Sequence, residues 1–134
     1  MKKANKKLFI SCPMKGRTEE NIRNSMERMH KMAELVFNQE LDVIPSYIEH
    51  TPPKDSNQAI WYLGESIKML SEADYFVGVN YSSVFKGCTA ERNIAHSYGI
   101  PSTTVSIREF MPDAYEIERQ SVEYPIDEES ECEN

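Results

Sequence analysis

Four short apolar runs, KKLFIS (6–11), LDVIP (41–45), DYFVGV (74–79) and STTVSI (102–107), alternate with three stretches of helical period. In the first stretch Ile22, Met26, Met29, Ala33 and Val36 recur at spacings of 4, 3, 4 and 3, which predicts an amphipathic helix ending near Asn38. Thr18 is its expected N-cap, with Glu19 and Glu20 well placed against the helix dipole. In the second stretch Ile60, Leu63, Ile67 and Leu70 repeat at 3, 4 and 3 behind a capping Ser56. The third, within GCTAERNIAHSYGIP, opens after Gly87 and stops at Gly99 with a proline behind it. Strands alternating with helices through short connections require a mostly parallel sheet covered on both faces. Right-handed crossovers leave few arrangements, and the order 2-1-3-4 is expected. SYIEHTPPKDS (46–56) and NYSSVFKG (80–87) read as loops, and YEIERQSVEY (115–124) as an edge strand or part of an oligomer contact.

A chain of 134 residues, 40% hydrophobic, fits one domain with one core. That domain is expected to span 1–124, with residues 125–134 a flexible tail, because IDEESECEN carries five acids and no base. The formal charge of −7 argues against nucleic acid as the main partner. No apolar run approaches the roughly 18 residues of a membrane span, and LFIS is too short for the apolar region of a signal peptide. Cys12, Cys88 and Cys132 are odd in number and lack metal-ligand spacing, so reduced thiols, a cytoplasmic location and no metal are expected.

A flavodoxin-like (Rossmann-like) sheet of four to five strands binds ligands beyond the carboxyl ends of its strands, where the order reverses. Two loops leave that point: SCPMKGRT after the first strand and NYSSVFKG after the third. The first holds Ser11, Cys12, Pro13, Met14, Lys15, Gly16 and Arg17 just ahead of a helix, an arrangement suited to an anion. Solvated loop cations are the plainer reading of Lys15 and Arg17. The second loop supplies Asn80, Ser82, Ser83 and Gly87, suited to phosphate or ribose hydroxyls. Cys12 and Cys88 fall close together, as small-residue positions or as a redox pair, and Met14 offers an apolar contact for a base.

Glu91 is the anomaly of the third helix. It falls in the middle of the arc formed by Ala90, Ile94, Ala95 and Tyr98, not with Arg92, Asn93 and His96. A carboxylate facing inward at that place looks into the ligand crevice. It can serve the helix dipole, or it can attack an anomeric carbon and form a glycosyl-enzyme. For a nucleophile, the helix N-terminus and nearby cations must outweigh desolvation, so Glu91 is expected to be ionised at neutral pH.

LFISCPMKGRT and GCTAERNIAHSYGIP, linked by LSEADYFVGV, resemble the two motifs of the nucleoside 2-deoxyribosyltransferase-like superfamily over roughly residues 7–106. The likeness is to its small phage and bacterial branch, related to 2′-deoxynucleoside 5′-phosphate N-hydrolase. It implies an enzyme of N-glycosidic bonds, transferase or hydrolase, in which Glu91 attacks C1′ of deoxyribose. Residues 11–17 would hold base and sugar, and Ser83 and Gly87 a 5′-phosphate. It implies no cofactor, a nucleoside or nucleotide as the small-molecule partner, and a homo-oligomer. Two positions depart from the pattern. Cys12 stands where glycine is usual, and Ser66 stands where an aspartate often orients the sugar or helps protonate the base. Asp74 precedes its strand, at the end opposite the crevice, and is read as structural. The competing function is a nucleotide-binding protein that senses or sequesters its ligand without cleaving it.

Overall fold

The computed structural model describes residues 4–46 and 48–123. Strand β1 (Lys6–Ile10) leads to α1 (Glu19–Phe37), then β2 (Leu41–Val43), α2 (Gln58–Leu70), β3 (Tyr75–Val79), α3 (Lys86–Ser97) and β4 (Ser102–Val105). Two further helices follow, α4 (Ile107–Phe110) and α5 (Pro112–Glu123). The four strands form one parallel sheet in the order β2-β1-β3-β4, the order expected from the crossover rules.

Alternation along each strand sorts side chains onto the two faces. Leu8, Ile10, Val77 and Val79 pack with Met29 and Ala33 of α1 and with Ile107, Met111 and Ala114 near the C-terminal helices. Phe9 and Phe76 lie on the other face with Leu70 of α2 and Ala95 of α3, their rings stacked at 5.9 Å. Helices therefore cover both faces of the sheet, as a parallel sheet requires.

The caps follow local chemistry. Thr18 accepts from the Asn21 N–H at the start of α1, and Asn38 ends that helix in the left-handed region at φ 56°. Helix α2 is capped by Asn57, whose side chain accepts from the Ile60 N–H; Ser56, the expected cap, accepts nothing there and donates to the Pro53 carbonyl. Asp74 accepts from the Lys7 N–H at 2.8 Å, which ties the starts of β1 and β3 together away from the crevice.

Residues 115–123 are helical, which corrects the edge-strand reading. Pro112 takes the first helical position, where its missing N–H is harmless. Met111, Ala114 and Ile117, spaced by three, turn one face toward the core. The tail expected at 125–134 lies outside the described residues.

Candidate functional site

The β1 ladder runs one residue past the strand, because the Ser11 N–H donates to the Val77 carbonyl at 2.9 Å. The pleat then sends the Ser11 side chain to the same face as Phe9, toward α3. Its hydroxyl donates to Glu91 Oε1 at 2.5 Å. Ser66, on α2, lines the same crevice and draws the pKa of this carboxyl down. The Ser11 hydroxyl thus holds a carboxyl that is only 9% exposed, with Ser66 on the same crevice wall. The inward direction of Glu91 follows from that arrangement: it faces the carboxyl ends of β1 and β3, not the apolar core.

Burial pushes the Glu91 carboxyl above its ordinary value of 4.5, and the Ser11 and Ser66 hydroxyls pull it part of the way back. The sequence-based expectation gave the opposing pull to the helix end and to nearby cations. It comes instead from the two serines, and burial is the larger effect, so the expectation that the lowering influences win is corrected to a net rise.

A crevice of about 490 Å³ opens over this carboxyl. Its wall takes Cys12, Met14 and Lys15 from the first loop, Ser66 from α2, and Lys86, Gly87 and Cys88 from the start of α3. Among the described residues lining it Glu91 is the only acid, and Lys15 and Lys86 are the only cations. A Cβ built on Gly87 would meet nothing within 4 Å, so that backbone lies open to a ligand. Cys12 and Cys88 are buried free thiols. Burial lifts them to about 11 and about 12, so both are protonated at neutral pH and lack the thiolate that redox chemistry requires.

Several residues expected to contact substrate do other work. Ser11 and Pro13 are fully buried beneath the crevice wall, and the Ser11 hydroxyl is taken up by Glu91. Gly16 supplies a positive φ of 77° and faces Ile117. The Arg17 side chain is 0% exposed and paired with Asp113, which removes it from any phosphate site in the crevice. Asn80 accepts from the Ile107 N–H at 3.4 Å. Ser82 is buried, and its hydroxyl accepts from the Val84 and Phe85 N–H groups while its backbone bonds to Thr89. Ser83 lines a different hollow, with Tyr81 and Tyr115. Conversely, Lys86 was not singled out in the sequence. The signal was there, since it immediately precedes Gly87 at the start of the helix that carries Glu91.

A second groove, about 480 Å³, runs between α1 and β2 over Ile22, Met26 and Val43, with Arg23, Glu27 and His30 on its rim. Its two acids, Glu19 and Glu27, are exposed. Among the described residues no group of three or more His, Cys, Asp or Glu side chains is placed to hold a metal ion. No described helix is long and apolar enough to cross a membrane. Comparison with family models, with curated proteins and with solved structures found no match for this chain.

Proposed function

We propose that this chain breaks or transfers the N-glycosidic bond of a 2′-deoxynucleoside or its 5′-monophosphate, with Glu91 as the nucleophile. The observation that carries the reading is the Glu91 carboxyl held by the Ser11 hydroxyl in the wall of an open crevice, with Ser66 lining the same wall. The motifs quoted above supply the substrate class. In the first step a Glu91 oxygen forms a bond to C1′ as the C1′–N bond breaks, and the electron pair leaves with the base. The Ser11 hydroxyl holds the carboxyl in one orientation, which lowers the entropy cost of attack. The departing base takes its proton from water, because the described residues of the wall include no second acid. Water then attacks C1′ and frees Glu91, or a second base does so and completes transfer. Lys15 and Lys86 are the cations available to a 5′-phosphate.

The reading places the chain in the cytoplasm, where Cys12 and Cys88 stay reduced. It includes self-assembly, which the resemblance implies.

One feature favours a binding protein that does not cleave: among the described residues of the crevice Glu91 is the single acid, and Ser66 stands where an aspartate is usual. Incubation with a panel of deoxynucleosides and their monophosphates, with chromatography for free base, separates the two. Base release by wild type and none by Glu91→Gln supports the enzyme. Tight binding with no base released by either protein supports the sensor.

A further inference from the structure

Arg17 closes the first crevice loop, yet its guanidinium points away from the crevice and is wholly enclosed. Every N–H of that group has a partner. Nε donates to Asp113 Oδ2 at 2.7 Å and Nη2 to Asp113 Oδ1 at 3.0 Å, a two-pronged grip on the first turn of α5. Nη2 also donates to Ser25 Oγ at 2.7 Å and to the Asn21 carbonyl at 3.3 Å, both on α1. Nη1 donates to the Pro13 carbonyl at 2.9 Å, with the Cys12 and Met111 sulfurs each 3.7 Å away.

We infer that Arg17 is a positioning residue: a buried strut, locked by Asp113, through which helix α5 sets the shape of the crevice wall from Cys12 to Lys15. Ser11 is excluded from this control, since the β ladder to Val77 already fixes it. The strut holds the part of the loop beyond the ladder, where the Arg17 N–H to Met14 carbonyl bond at 3.1 Å closes the turn. Gly16 fits the same scheme, because its positive φ brings the turn against Ile117 of α5. Loss of Asp113 leaves an enclosed cation without its counter-charge, and the loop is the least constrained element able to move in response.

The test is native-state amide exchange on the full chain. In Asp113→Ala the Arg17 amide should exchange at least about tenfold faster, relative to the Phe76 amide in the sheet, than in wild type. Phe76 donates to the Pro101 carbonyl, remote from the strut, and reports global opening. Asp113→Glu should restore protection, whereas Arg17→Lys, which keeps the charge and loses the fork, should not. If Asp113→Ala does not fold, Asp113→Asn carries the comparison, since its amide oxygen still accepts one bond. Parallel changes at Arg17 and Phe76 would make the pair a contributor to global stability alone and overturn the inference. A second measurement rests on the proposed function: affinity for a 2′-deoxynucleoside 5′-monophosphate should fall about fivefold or more in Asp113→Ala and return in Asp113→Glu. Unchanged affinity in a variant whose Arg17 amide is deprotected would also overturn control of the crevice wall. A wild type that binds no such nucleotide refutes the proposed function, and amide exchange then decides the strut by itself.

Discussion

Ser11 and Glu91, eighty residues apart in the chain, meet through a 2.5 Å hydrogen bond at the place where the parallel sheet reverses its order. The bond joins a position fixed by the β1–β3 ladder to the second turn of α3, so strand pairing sets the direction of the carboxyl.

Glu91→Gln tests what that burial costs. A carboxyl whose folded pKa is raised contributes its stability fully below the unfolded value of about 4.5, and loses it as pH rises through the folded value. Replacing the ionisable group by an amide removes the loss. The variant should therefore melt at a higher temperature than wild type at neutral pH, with the gap closing toward pH 4. Under the proposed chemistry it should also lose base release by on the order of 10⁴-fold. Calorimetric scans across pH check the first expectation, and an equal or lower neutral melting temperature counts against it.

Ser11→Ala and Ser66→Ala remove the two downward pulls on that carboxyl. Each should move the acid limb of the kcat/KM profile to higher pH. Each should also slow base release about ten- to hundredfold, the worth of one hydrogen bond to a charged group. The double variant should shift further than either. A rate loss with an unmoved profile would mean that the hydroxyls contact the substrate instead.

Lys15 and Lys86 should act on charge alone. Alanine at either should weaken monophosphate binding about two- to fivefold, reduce its salt dependence, and leave unphosphorylated nucleoside unaffected. Equal losses for both ligands would remove the phosphate assignment.

The sheet order and three of its covering helices were legible because periods of two and near 3.6 are carried by many residues at once. Thr18, Asn38 and Gly99 even placed helix ends correctly, since caps depend on neighbours in sequence. Helix α5 was not legible. Tyr115, Ile117 and Val122 carry strand propensity, and the helical signal lay just ahead of them in Pro112 and Ala114. The inward direction of Glu91 was legible because its wheel position conflicts with its charge. The real duties of Arg17 and Ser82 were hidden for the opposite reason. A loop arginine reads as a free cation until its distant partner, here Asp113, is known, and a loop serine looks available until its turn is formed.

Asp113 should leave a mark on acid stability. Its carboxyl is held below the ordinary 3.8, chiefly by the Arg17 hydrogen bonds. A depressed carboxyl contributes stability above the unfolded value and loses it as pH falls through the folded one. The loss should therefore begin near pH 4 and continue below it. Asp113→Asn should flatten that acid limb while lowering stability at neutral pH. An unchanged acid limb would show that the pair adds nothing to the fold.

Gly78 tests the sheet side of the site. A Cβ there would lie 2.6 Å from the Phe76 ring and 3.7 Å from the Ser11 Cβ, on the face that looks toward Glu91. The ring is fully buried and stacked on Phe9, so it has little room to retreat. Gly78→Ala should destabilise the protein by about 1–3 kcal/mol, the usual cost of overpacking a dense core. Gly99→Ala is the contrasting control: its added carbon meets no atom within 4 Å, and only its φ of 77° resists the change. That strain should cost about 1 kcal/mol. The two variants should differ in kind. Gly78→Ala should also disturb the pH profile of base release, because the displaced Phe76 ring and the new methyl group both press toward Ser11. Gly99→Ala, at the far end of α3, should leave that profile intact. If Gly78→Ala lowers stability but keeps the profile of wild type, the Ser11–Glu91 bond is insulated from the sheet packing beneath it.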